Sequence, residues 1–573
     1  MSNHRVSATG LVLAVIALAG CGGSVGSNVS SQGEVAGVAG LVPSTARSLP
    51  ERLSPTGRHA TSVTTDWDSF GFDLQRTGYN PNETTIGVNN VASVQKLWSA
   101  NVGYEMVHEP VVAAGVNVKG QTKTLLFAGS AGGSTMYAID ASTGATVWQH
   151  AVPQANYRCD HREKFQFSIG ETPAIDRGKN LLYFSDGYNQ VHAVDLATGT
   201  EAAGWPLTVA NHKPEHNFMH GGLTYNPSNG MLYAVTSSTC DISPWYGRIV
   251  AIDTNTPSLV GTFFTMSGTA TQGRSGGGIW GPGGASIDPE TNNVFVATGN
   301  ADTTMGLAQN AGYAEEVVEL SPTLNTIVAH NYPTNIPQLD GDEDFDFGAT
   351  PLLFRPQGCP LLLAAVNKSG MFELYDVGTL RFGPIQYIAM SIPTNKGDFV
   401  GVPAYDPATG YVYVGMPASE GIYKPGLAAF GIQANCTLNP TPAWSAYFGP
   451  DGAKVVKGQT PRSPISIANG VVYVSNYSNE RAFAFDAATG AQLWTVGLSD
   501  LGNIGTVIAN GVLYVSSRDG TITAWGPPAS KGAKAKIPQG VPGRERTGVA
   551  HYLAAYSDRE AAAAEALDSV AGI

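Results

Sequence analysis

Apolar residues in this chain fall in short runs, rich in β-branched and aromatic types and bounded by Gly, Asn, Asp and Pro. That is the pattern of strands joined by tight turns. One phrase recurs: Y-A-I-D-A-S-T-G-A-T-V-W at 137–148, A-V-D-L-A-T-G at 193–199 with Trp205 after it, and A-F-D-A-A-T-G-A-Q-L-W at 484–494. It reads as strand, turn, strand: Asp bonds the turn backbone, Gly takes positive φ, and Trp brings a large packing surface. A second phrase alternates with it, at 226–235, 288–297, 406–415, 468–475 and 509–516, each a turn followed by an aromatic, β-branched strand. Two hairpins in alternation give four strands per unit, which is one blade of a β-propeller.

The units fall near 110–149, 172–208, 218–264, 283–332, 345–392, 398–448 and 461–498. An eighth, 504–525, lacks an outer strand that residues 93–103 can supply from the other end of the chain. Closing a ring in this way removes exposed sheet edges. The expectation is an all-β, eight-bladed propeller over 61–526, with seven blades as the alternative.

Composition agrees. Gly is 69 of 573 residues, which disfavours a helical bundle, and only 13% are charged, which with 43% hydrophobic residues excludes a disordered chain. The net charge of −13 gives no basic excess for phosphates, so no nucleic-acid partner is expected. No C-x-x-C-H occurs, so no covalently attached haem is expected.

At the N-terminus, Arg5 precedes an apolar run from Leu11 to Leu18 that is too short to span a bilayer. Residues 1–20 therefore read as an export signal. L-A-G-C at 18–21 resembles the bacterial lipobox, which implies lipid on Cys21 and a membrane-anchored envelope protein. Gly22, in place of Asp, leans that resemblance towards the outer membrane. Residues 21–60 are then a flexible tether, and 527–573 a largely disordered tail with a short helix from Ser557 to about Leu567. The remaining cysteines allow three pairings, of which Cys159–Cys240 with Cys359–Cys436 is the expected one.

The A-x-D-x-x-T-G-x-x-x-W phrase resembles the tryptophan-docking motif of eight-bladed propellers of the pyrroloquinoline quinone (PQQ) type, over roughly 67–526. Three stretches carry the chemistry that this resemblance implies. G-G-G-I-W-G at 276–281 and V-A-T-G-N at 296–300 look like the region giving a Trp floor under the quinone and an Asn ligand to calcium, here Trp280 and Asn300. A flat quinone needs an aromatic face, and Ca²⁺ prefers oxygen donors. D-G-D-E-D-F-D at 340–346 places carboxylates close enough to call for a cation or a raised pKa. As a strand, it would put Asp344 and Asp346 on one face. The family's catalytic base and a second metal-binding acid lie here, and the assignment between Asp344 and Asp346 stays open. N-K-S-G at 367–370 resembles the strand start whose lysine, here Lys368, holds the quinone oxygens.

Two features depart from that family. Its calcium-binding Glu belongs just before 247, where only Asp241 could substitute, and the adjacent Cys-Cys pair is absent. D-F-G-A-T-P at 346–351 suits polyvinyl-alcohol-dehydrogenase-like members better than methanol dehydrogenases. G-R-S-G-G at 273–277 matches G-x-S-x-G but lacks the strand-turn-helix setting of a serine nucleophile. Two functions follow as expectations. One is a PQQ- and calcium-dependent dehydrogenase passing electrons from an alcohol to an external acceptor. The other is a non-catalytic propeller binding an envelope protein partner, similar to the propeller lipoprotein of outer-membrane assembly.

Overall fold

The computed structural model describes residues 66–159, 163–210, 216–238, 242–266, 275–302, 311–333, 346–390, 401–416, 423, 426–448, 463–476, 480–500, 502 and 504–528. The expected signal, lipobox Cys21, tether, tail helix, Cys240, Asp241 and Asp344 lie outside the described residues.

Eight antiparallel blades of four strands form the ring, and the short strand Tyr79–Asn80 adds in parallel to the first strand of the seventh. Blades 1 to 7 span 111–151, 174–208, 224–264, 286–331, 352–389, 404–447 and 466–497. Blade 8 combines 507–526 with Gln95–Asn101, which pairs with its last strand. The ring thus closes by joining both ends of the chain, and the count is eight rather than seven. The first strands of successive blades lie beside one another and so surround the axis. The core is the set of sheet-to-sheet layers; the one between blades 5 and 6 holds Leu352, Phe354, Leu374, Val412 and Phe430.

The docking tryptophans bind across blades. Trp148 of blade 1 donates its indole N–H to the Leu196 carbonyl of blade 2 (2.8 Å), and Trp444 of blade 6 donates to Ala487 of blade 7 (2.9 Å). At the closing seam, Trp98 of blade 8 donates to Ala141 of blade 1 (2.8 Å). Each ring lies on the turn glycine of the next blade. A Cβ added at Gly199 would sit 2.7 Å from the Trp148 ring, and one at Gly490 2.6 Å from Trp444. The two phrases of the repeat are thus two halves of one contact.

The segment 66–80, unforeseen from the sequence, runs around the inner strands. Trp67 bridges to Val112 of blade 1. The N–H groups of Ile175, Ile287, Leu353, Tyr405 and Ile467 donate in turn to the carbonyls of Asp68, Leu74, Gln75, Thr77 and Gly78. Asn80 then reaches the Ile508 carbonyl of blade 8 (2.7 Å). Seven of the eight inner strands thus have a backbone group satisfied by one stretch of chain. Fully buried Arg76 fixes it, donating to the carbonyls of Phe70 (2.8 Å) and Ala285 (3.1 Å) and to Thr224 Oγ1 of blade 3.

Cys359 and Cys436 form a disulfide linking a turn of blade 5 to one of blade 6, with Cα atoms 5.6 Å apart. Cys159 ends the strand Ala155–Cys159, and its expected partner lies outside the described residues.

Candidate active site

Two kinds of connection meet between blades 4 and 5. Trp280 precedes the first strand of blade 4, and Asp346 precedes the first strand of blade 5. Asn300 follows the second strand of blade 4, and Lys368 the second strand of blade 5. Strand alternation ends at these points, so the loops are free to turn polar groups towards each other.

Asp346 is the centre of the group and is fully buried. Its Oδ1 lies 2.9 Å from the Lys368 ammonium. Its Oδ2 accepts the Asn300 backbone N–H at 3.0 Å. The Lys368 N–H in turn donates to the Asp346 carbonyl (2.8 Å), locking the two loops together. A cation and an N–H aimed at one carboxylate both stabilise its negative charge.

Trp280 stands beside them, half-buried among buried neighbours. The link is Gly299: a Cβ there would lie 2.4 Å from Asp346 Oδ2 and 2.9 Å from the Trp280 ring. Only a residue without a side chain lets the indole edge, the carboxylate and this backbone meet. Gly299 N–H donates to Gly278 O and Gly277 N–H to Asn300 O, both at 2.7 Å, so the glycine run before Trp280 is fastened to the loop of Asn300. Asn300 is buried, and its side-chain NH₂ donates to the Ala301 carbonyl (3.3 Å), leaving the amide oxygen as its donor for a cation.

Trp280, Asn300, Asp346 and Lys368 therefore converge, although they span almost ninety positions. N-K-S-G at 367–370 is also a hairpin turn: Asn367 closes it by accepting from the Ser369 hydroxyl (2.5 Å) and the Met371 N–H (3.3 Å). The sequence reading missed Asp302, which is fully buried, accepts the Ser275 hydroxyl and lies two positions beyond Asn300. It also missed Glu373, on the strand after Lys368, which accepts the Tyr375 hydroxyl at 2.5 Å. Burial pushes the Glu373 carboxyl up to about 8. A cavity of about 370 Å³ lies elsewhere, between the 73–79 stretch and blades 4 to 6, and its lining includes none of the four residues.

A family described as "Outer membrane protein assembly factor BamB" matches residues 80–256 and 443–533. The polyvinylalcohol dehydrogenase of Sphingopyxis sp. (strain 113P3) is 26% identical over 445 residues, covering 68% of this chain and 64% of its own. The enzyme of that name from Pseudomonas sp is 22% identical over 526 residues, 80% of this chain and 73% of its own. The chain thus spans about two thirds of the length of these relatives. Among solved structures, the quinohemoprotein alcohol dehydrogenase of Comamonas testosteroni aligns with a TM-score of 0.60 and 18% identity, covering 86% of this chain and 84% of that one. The chain is an eight-bladed propeller, similar in sequence to polyvinylalcohol dehydrogenases and, at 25% identity over 343 residues (53% of this chain and 52% of the relative), to the quinoprotein alcohol dehydrogenase PedH of Pseudomonas putida.

Proposed function

We propose that this protein is an exported, lipid-anchored quinoprotein dehydrogenase that oxidises an alcohol and passes the electrons to an external acceptor. The observation carrying the proposal is the meeting of Asp346 with Lys368, Asn300 and the edge of Trp280. These residues fit PQQ. Trp280 offers an indole face for a flat ring system, and Lys368 offers donors for quinone oxygens. PQQ, when bound, supplies the two-electron acceptor for the hydride of the alcohol carbon.

Asp346 takes the hydroxyl proton as general base. Lys368 and the Asn300 N–H hold its carboxylate in place. Asp344, the other acid considered for this role, remains a candidate second ligand. Asn300 supplies an amide oxygen for a calcium ion, with Asp344 as the acid that completes the pair. The relatives' names support an alcohol as substrate, and polyvinyl alcohol is the first to try.

The test adds PQQ and Ca²⁺ to the purified full chain and follows dye reduction with alcohols. Turnover in the wild type that is lost in Asp346→Asn supports the reading; a folded chain that binds no PQQ removes it. The description of the matched family favours a second reading, a scaffold for an envelope protein partner. Recovery of β-barrel assembly machinery in a pull-down, with no PQQ binding, would establish that one. For the anchor, Cys21→Ser should release the protein from the membrane fraction, and unchanged membrane association would contradict lipidation at Cys21.

A further inference from the structure

The repeat itself exposes a second site. Three positions before the motif Asp, the first and seventh blades carry Tyr137 and Phe483, while blade 2 carries His192. Two positions after the motif Gly they carry Thr146 and Gln492, and blade 2 carries Glu201. Two positions after the docking Trp, blade 7 carries Val496, and blade 1 carries His150. Neutral positions of the repeat have become ionisable three times, and the three meet in space at the seam between blades 1 and 2.

Glu201 Oε2 lies 2.8 Å from His192 Nδ1 and 3.3 Å from His150 Nε2. The potential donor atoms all lie within 4.8 Å of one another, and no other such group occurs among the described residues. A tetrahedral ion with bonds of ~2.0–2.1 Å sets its donors roughly 3.3–3.4 Å apart, so small adjustments suffice. The opposite nitrogen of each ring faces an oxygen. His150 Nδ1 is 2.9 Å from the Gly199 carbonyl, and His192 Nε2 is 3.6 Å from Asp186 Oδ2. Oxygen acceptors behind the rings fix the tautomer that points a lone pair at a metal. Phe184 backs the group, stacked on His192 (centroids 5.3 Å) and edge-on to His150 (5.8 Å). Glu201 opens it to solvent, with its side chain 24% exposed.

We propose that His150, His192 and Glu201 form a divalent transition-metal site of the zinc class, which staples blade 1 to blade 2 and keeps a coordination position for water. Two imidazoles and one carboxylate select such an ion over Ca²⁺ or Mg²⁺. Asp186 and Glu201 face His192 from its two ring nitrogens, and a metal binds the neutral imidazole, so uptake is favoured as pH rises. The site stands apart from the quinone reading and does not depend on it.

The experiment uses the full chain, stripped with chelator and kept in excess Ca²⁺. Zn²⁺ binding is read by calorimetry and thermal melting, and Co²⁺ by its visible absorption. One Zn²⁺ per chain is expected, with a higher Tm, weakened at least tenfold in His150→Ala and in Glu201→Gln and unchanged in Asp346→Asn. Glu201→Gln keeps the volume and leaves the docking contact of Trp148 intact, so a folded variant is available. A cooperatively melting wild type that takes up no Zn²⁺, or uptake unchanged in both ligand variants, would overturn the proposal.

Discussion

The sequence suggested mutual repulsion among the acids of 340–346; those before Asp346 lie outside the described residues, and among the described residues Asp346 pairs with the ammonium of Lys368 at 2.9 Å. Asp346→Asn therefore loses the attraction of Lys368. The amide still accepts the Asn300 N–H, so the expected stability loss is modest, about 1–3 kcal/mol. Activity should fall much further, by about 10²–10⁴-fold, since the base is gone. Steady-state kinetics beside thermal melts separate the two effects, and a variant that retains turnover would exclude Asp346 as the base. Glu373 makes a pH prediction. Its carboxyl is raised by burial to about 8, so the stability it contributes is complete below the usual range near 4.5 and is lost as pH rises through about 8. Wild-type Tm should fall across that window, and Glu373→Gln should flatten the fall. Glu105, Glu109 and Glu171, each raised to about 7, leave part of the slope in place. Equal slopes in both proteins would contradict this. Trp280, Asn300 and Lys368 were legible because each sits in a short phrase of its own, whereas Glu373 reads as one polar position in a strand and only packing reveals its burial.

Hairpins and blades were legible because each unit repeats the same turn chemistry at the same offsets. The partner of each docking tryptophan was not legible, since the motif Gly contacts the Trp of the preceding blade rather than its own. Gly199 sits at φ +70° where an added Cβ would lie 2.7 Å from the Trp148 ring, whereas Gly410 sits at φ +71° with nothing within 4 Å of an added Cβ. Alanine at either position loses about 1–2 kcal/mol to the left-handed backbone. Gly199→Ala must also displace the indole and its bond to Leu196, so its melting temperature should fall clearly below that of Gly410→Ala. Equal drops in calorimetry would show that docking adds nothing to the seam.

Over the whole molecule, ring closure by residues 93–103 was legible because the eighth unit lacked a strand. The inner course of 66–80 was not, because its carbonyls pair with one strand after another and carry no periodicity. Arg76 holds that course to blades 3 and 4 with no exposed surface to spare. Arg76→Met should lower stability by about 3–5 kcal/mol, the scale for removing one member of a buried charged network. Urea unfolding checks this, and a loss below ~1 kcal/mol would mean that the segment is only draped on the ring. The proposed chemistry rests on one convergence between blades 4 and 5, and a titration of the folded chain with PQQ in excess Ca²⁺ tests it most directly. The account predicts saturable binding at one site per chain by calorimetry, weakened at least tenfold, or about 1.4 kcal/mol, in both Trp280→Ala and Lys368→Ala. No binding to the folded wild type, or binding indifferent to both substitutions, would contradict it.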